Sequence, residues 1–363
     1  MPVDIFWTVG IIMKAAIILL VLLLMLGASC TPVPSPMSPA TKSTPAIEPA
    51  PPASKDAAPT FLWTVDPGVR LEDATVPNIY RLGDGRYRLF FGGPGGILSA
   101  ISDSGLTFTK EPGVRVPSGS PGSPEMIVSD PTLVSLKDGK VRMYYKGATG
   151  SGGPGQSVHR VFSAISADGL RFEKEGIRID SQQTPDRGWA SVPEATVLPD
   201  GRVRLYYVSD GLDVKHGIVS AISEDGLNFT REETQLTGFV DPAVIRLANG
   251  DYLMFAVAFP FGSGGRLTDA EPGIYSFIAQ DGLNFKDRKL VLAGEGNIDP
   301  AIVDLGDGAY RVYYWNAADK PPVIKSMSGK LASIPSPAAA TTAPNITPVL
   351  GPKDIAGARV WIL

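Results

Sequence analysis

One segment recurs five times along this chain, and that recurrence constrains the architecture before any single residue is weighed. Each copy opens beside a proline, runs through an apolar stretch, turns at Asp-Gly or Asn-Gly, and returns along an aromatic stretch. The copies are VPNIYRLGDGRYRLFF from Val76, DPTLVSLKDGKVRMYY from Asp130, VPEATVLPDGRVRLYY from Val192, DPAVIRLANGDYLMFA from Asp241 and DPAIVDLGDGAYRVYY from Asp299. Asp-Gly and Asn-Gly accept the positive φ that tight hairpin turns demand, so each copy reads as a β-hairpin. Four copies continue into a second hairpin: ILSAISDSGLTF, VFSAISADGLRF, IVSAISEDGLNF and YSFIAQDGLNF. Four antiparallel strands per repeat make a propeller blade, and radial closure of such blades removes the exposed edges of an open sheet.

The fifth repeat lacks its outer strand, because after Pro322-Val323-Ile324-Lys325-Ser326 the chain enters a low-complexity tail. The missing strand matches at the other end: FLWTVDPGVRL from Phe61 resembles LTFTKEPGVRV from Leu106, the outer strand of the first full repeat. The expected fold is therefore all-β, a five-bladed β-propeller with four antiparallel strands per blade, its N-terminal strand closing blade five. It is assigned to residues 61–331. The Gly 40 and Pro 33 of the chain suit many short strands and turns.

Outside the repeats the composition changes. Residues 31–60 are rich in Pro, Ala, Ser and Thr and cannot bury enough apolar surface to offset their ordering entropy, so they read as a disordered tether. Residues 332–363 form a similar tail ending in a short apolar segment. Residues 1–30 read as a lipoprotein signal peptide, with Lys14, the apolar run Ala15 to Leu26, and Gly27-Ala28-Ser29 before Cys30. Met1 or Met13 would be its start. Lipidation of Cys30 would anchor the protein to the membrane from the extracytoplasmic side; the alternative is an uncleaved membrane anchor. Cys30 is the only cysteine, so no internal disulfide is expected. A net charge of −4 leaves no basic footprint for nucleic acid. No cluster has metal-ligand spacing and there is no phosphate loop, so no metal or cofactor is expected, and the protein is expected to be a monomer.

In a propeller the first strand of each blade is innermost, so the residues beside each proline meet the central cavity: Asn78, Asp130, Glu194, Asp241 and Asp299. With this blade form, residues 61 to 330 resemble the five-bladed glycosidases such as arabinanases, xylosidases and arabinofuranosidases. The resemblance implies a saccharide partner, Glu194 as general acid and Asp130 as the carboxylate that positions and tunes it. Neighbouring carboxylates are expected to raise the pKa of Glu194, as a general acid requires. The position matching the catalytic base holds Asn78, whose amide cannot take a proton from water. The resemblance therefore leaves three outcomes: a base recruited from elsewhere such as Glu125 or Asp186, an acid-only mechanism with an external nucleophile, or a non-catalytic carbohydrate-binding propeller. Trp189, in the loop before Glu194, is a candidate platform for a sugar ring. His159 and His216 occupy matching places in blades two and three, beside the Gly-rich loops, as candidate partners for sugar hydroxyls. Asp241 and Asp299 repeat by internal symmetry and are candidates for substrate binding or for local turns. The Ser-x-Asp-Gly-x-x-Phe segments resemble the sialidase Asp box, but Asp and Gly are adjacent here, so they read as hairpin turns.

Overall fold

A computed structural model describes residues 59–211, 216–258 and 270–332. The signal segment with Cys30, nearly all of the tether, the Gly262–Gly265 loop and the C-terminal tail lie outside the described residues. Those residues form five antiparallel sheets. Blade one runs from Thr75–Arg81 through Tyr87–Gly93 and Gly96–Ser102 to Thr109–Lys110. Blades two, three and four follow the same course from innermost strands Ile127–Ser135, Ala190–Val197 and Phe239–Arg246. Blade five has Asn297–Gly306, Ala309–Asn316 and Val323–Leu331, and its outer strand is Phe61–Val65, with Phe61 opposite Leu331 and Val65 opposite Met327. The five innermost strands touch in a ring, one to two, two to three, three to four, four to five and five to one. The N-terminal strand closes the propeller as the repeat pattern requires.

Each innermost strand is a sheet edge facing the axis, which is why it tolerates a proline that cannot donate to a ladder. The pairing skips at the same place in every blade, between Thr75 and Asn78, Ser129 and Thr132, Ser191 and Glu194, Val240 and Ala243, and Ile298 and Ala301. Within each bulge the residue before the proline has positive φ: Val76 at 45°, Asp130 at 52°, Val192 at 47°, Asp241 at 54° and Asp299 at 50°. Aspartate tolerates this region better than most side chains, whereas a β-branched valine there is strained. The bulge also turns the chain so that residues on both sides of the proline face the cavity.

Neighbouring blades are clasped by a polar device. Arg88, Arg142, Arg204 and Arg311, on second strands, pair at 2.7–3.2 Å with Glu175 and Glu232 on the outer strands of their own blades and with Glu111 and Asp66 just past them. Three of these guanidinium groups also donate to a turn carbonyl of the next blade, Arg142 to Asp225 and Arg204 to Asp281 at 3.0 Å and Arg311 to Ser104 at 3.2 Å. Arg88 reaches Gly169 only at 3.5 Å. The hydroxyls of Tyr144, Tyr206 and Tyr313 donate to the carbonyls of Gly226, Gly282 and Gly105 at 2.7 Å each. Blade four carries Leu253 and Phe255 at these positions. The reason is topological: the outer strand of blade five arrives from the other end of the propeller, so no turn exists there to be clasped. Trp63 packs edge-on against Phe255 instead, with centroids 5.1 Å apart and planes at 88°. The clasped turns are the Asp-Gly turns at Asp168, Asp225 and Asp281 and the Ser104-Gly105 turn of blade one. Asp168 accepts the Leu170 and Arg171 N–H groups at 2.8 Å, and those bonds hold its carboxyl below the usual range.

Candidate active site

A single pocket on the propeller axis is lined by Asn78, Asp130, Glu194, Asp241 and Asp299, with the prolines beside them and Val76 and Val192. All five axial residues picked out by the repeats therefore meet in one place. They come from two registers of the bulge. Asp130, Asp241 and Asp299 precede their prolines, whereas Asn78 and Glu194 follow theirs, matching Thr132, Ala243 and Ala301 in the other blades. The pocket has about 20 Å3 of space for a water-sized molecule, roughly one water.

The pocket is acidic with one cation. Lys146, on the second strand of blade two, places its ammonium 2.6 Å from Asp130, which is almost wholly buried and also receives the Ser129 hydroxyl. Burial alone would depress the Lys146 ammonium, but Asp130, with Asp299 and Asp241 further off, holds it above its ordinary value. Asp299 accepts the Trp315 indole N–H. Burial, and then the charge of Asp130, raises the Asp299 carboxyl; burial, and then the charges of Asp299 and Asp130, raises that of Asp241. Buried carboxylates this close to one another resist ionising together.

Glu194 spans its two neighbouring blades. One carboxyl oxygen accepts the Thr132 hydroxyl of blade two at 2.9 Å, and the other accepts the Val244 N–H of blade four at 3.1 Å. Thr132 in turn accepts the Ala195 N–H at 3.0 Å. Burial pushes the Glu194 carboxyl up to about 7, against the two hydrogen bonds that favour its charged form. The expected rise is present, but desolvation causes it rather than neighbouring carboxylates.

The remaining sequence candidates lie apart from the pocket lining. Trp189 is not an open platform: His159 stacks on it with centroids 3.6 Å apart and planes at 22°, and His216 stands 6.3 Å away at 33°. His159 shares a hydrogen bond of 3.0 Å between its Nδ1 and the Ser191 hydroxyl. Burial and the nearby Lys146 ammonium push its imidazole down to about 3, so it is neutral at ordinary pH. His216 lies 3.5 Å from Asp210. Asp186 is fully buried and accepts from Arg231, Ser209 and Thr184 at 2.6 Å and Tyr207 at 3.2 Å, which makes it a structural anchor. Glu125 pairs with Lys174 at 3.0 Å and accepts the Tyr145 hydroxyl at 2.8 Å. Neither Asp186 nor Glu125 lines the axial pocket. Sequence reasoning missed Lys146 and Trp315. Lys146 is visible only as a charged residue just past the paired tyrosines of blade two, and Trp315 as an aromatic in the matching place of blade five. Among the described residues no group of three or more His, Cys, Asp or Glu side chains is placed to hold a metal ion.

The fold is a five-bladed propeller of the form found in glycoside hydrolases. The α-L-arabinofuranosidase of Lactobacillus brevis superposes with a TM-score of 0.57 at 14% identity, covering 73% of this chain and 92% of that one. A family 117 glycoside hydrolase of the marine bacterium Zobellia galactanivorans gives 0.56 at 17% identity, over 77% and 93%. The Bacillus subtilis arabinanase gives 0.54 at 15% identity, over 72% and 95%. At such identities the likeness establishes the fold. No family model and no curated protein sequence matches the chain.

Proposed function

We propose that this chain is a glycan-acting protein of the glycoside hydrolase kind, working on a saccharide at the axial pocket. The observation that carries the reading is a buried carboxyl, Glu194, kept protonated to near neutrality in the same pocket as an ion-paired carboxylate, Asp130. Glu194 supplies the acid that protonates a leaving glycosidic oxygen, and Asp130 a fixed negative charge in the same cavity; the water-activating carboxylate that inverting hydrolysis also uses has Asn78 at its matching position. The likeness to folds named as arabinofuranosidase and arabinanase supports a saccharide as the ligand. The small volume of the pocket admits reacting atoms only, with the sugar ring at its mouth. Lipidation of Cys30 would hold the propeller outside the membrane, within reach of extracellular glycans.

A glycan array probed with the detergent-solubilised full chain, followed by product analysis of each hit, tests the reading. Glu194→Gln is expected to keep glycan binding and lose about a hundred- to ten-thousand-fold in turnover. Turnover that survives this substitution removes Glu194 from the chemistry, and an array without hits removes the saccharide. The amide at Asn78 favours a second reading, a binding propeller without catalysis, in which every hit binds and none yields product. For the anchor, Cys30→Ala is expected to abolish labelling by a fatty-acid analogue and to release the protein from membranes.

A further inference from the structure

We infer that Asp299 is the water-activating base of the axial pocket, in place of Asn78; the inference rests on the glycosidase reading above. Four carboxyl groups line the pocket. Asp130 is committed to the Lys146 ammonium, and Glu194 is the acid. The base must lie across the pocket from the acid, because inversion brings water to the face of the sugar opposite the leaving oxygen. In a ring of five, blade three touches blades two and four, so only blades one and five stand across the axis from Glu194. Blade one offers Asn78 and Val76. Blade five offers Asp299, whereas Asp241 belongs to blade four, next to the acid.

The surroundings of Asp299 fit the role. The Trp315 indole N–H holds one of its carboxylate oxygens, which fixes its plane. Asp241 accepts the Asp299 backbone N–H; burial and then the charge of Asp130 raise the Asp299 carboxyl, and burial and then the charges of Asp299 and Asp130 raise that of Asp241. A carboxylate raised toward neutrality is a better proton acceptor than an ordinary exposed one. The charged groups around it are Asp130, Asp241 and Lys146, with Glu194 across the axis, and the pocket has space for one water-sized molecule.

The step balances without a co-reactant. The Asp299 carboxylate takes a proton from water as the water oxygen bonds to the anomeric carbon. The glycosidic C–O bond breaks, its electron pair goes to the leaving oxygen, and that oxygen takes the proton of Glu194. Solvent exchange then returns one proton to Glu194 and removes one from Asp299.

Asp299→Asn is the test, because asparagine keeps the shape, can still accept from Trp315 and is at ease at a φ of 50°. The full-length variant and wild type are assayed on p-nitrophenyl α-L-arabinofuranoside, p-nitrophenyl β-D-xyloside and α-L-arabinofuranosyl fluoride, whose leaving group needs no acid. The expected result is a fall of about a hundred- to ten-thousand-fold in kcat with KM little changed, and loss of the acidic limb of the kcat/KM profile. Azide should restore turnover of the fluoride in Asp299→Ala, giving a glycosyl azide of inverted configuration. Should Asp299→Asn fail to fold, Trp315→Phe, which frees the carboxylate plane, is expected to lower kcat at least tenfold. Wild-type turnover that Asp299→Asn leaves within threefold overturns the base alone, and so does a hundredfold gain from Asn78→Asp, which would show the native pocket to lack one. Wild-type inertness on all three substrates overturns the glycosidase reading and the base together.

Discussion

Glu194 has two jobs that pull in different directions, since its carboxyl bridges two blades and yet sits where its charge is poorly solvated. Its folded pKa of about 7 exceeds the value of 4.5 expected in the unfolded chain. The folded state therefore holds this proton more tightly, and the associated cost is absent below the unfolded value and complete above the folded one. Relative to wild type, Glu194→Gln is expected to gain about 2–3 kcal/mol of stability as pH rises from 5 to 8, measured by urea denaturation at each pH. His159 slopes the other way: its folded pKa of about 3 lies below the ordinary 6.5, so its contribution is lost as pH falls through that interval. A pH-independent difference between Glu194→Gln and wild type would mean the carboxyl is solvated. The acidic axial residues were legible because proline marks the innermost strand in every repeat. Their register was not, because a bulge with positive φ on the residue before proline has no signature when that residue is aspartate in three blades and valine in two. Lys146 escaped notice for a simpler reason: a lone lysine beside apolar residues looks like a strand end reaching solvent.

Between residues and the ring lies the seam, where two blades meet through a second strand and a turn. Three seams have a tyrosine hydroxyl on a glycine carbonyl, but blade one has Phe90 at that place, and Gly169 is left with the long contact from Arg88. Beside it lies a space of about 190 Å3 lined by Tyr80, Arg88, Phe90, Leu133 and Gly169. Phe90→Tyr should supply the missing donor and raise stability by about 1 kcal/mol, the usual net worth of one hydrogen bond; calorimetric melting checks it, and a fall would mean that the hydroxyl cannot reach. The hairpins of each blade were legible from Asp-Gly spacing alone. The clasps left a trace in the recurring Arg88, Arg142, Arg204 and Arg311, charged residues inside otherwise apolar strands. What they hold could not be read, because the partner turn belongs to another blade and no local pattern links the two.

The whole molecule depends on one strand brought from far along the chain. Gly329 lies opposite Trp63, and a Cβ at that glycine would come within 2.3 Å of the indole, so the closing strand is seated on a surface shaped for it. Trp63→Ala is expected to cost on the order of 2–4 kcal/mol, and a chain starting near Asp73 should melt far earlier or aggregate, since it leaves a blade edge open. Melting unchanged by that truncation would mean the ring is closed by another segment. That closure was legible because the orphan strand matches an outer strand elsewhere, while its apolar seam against Phe255 was not. It also sets an order of events during synthesis. The strand that finishes the ring leaves the ribosome first and has no partner until the last blade follows. Until then it remains an unpaired apolar strand, Phe61-Leu62-Trp63, and the contact that completes the fold has nearly the greatest sequence separation the propeller allows. Such contacts form late and slowly, so refolding should show its last phase in Trp63, with its speed limited by the search of one end for the other.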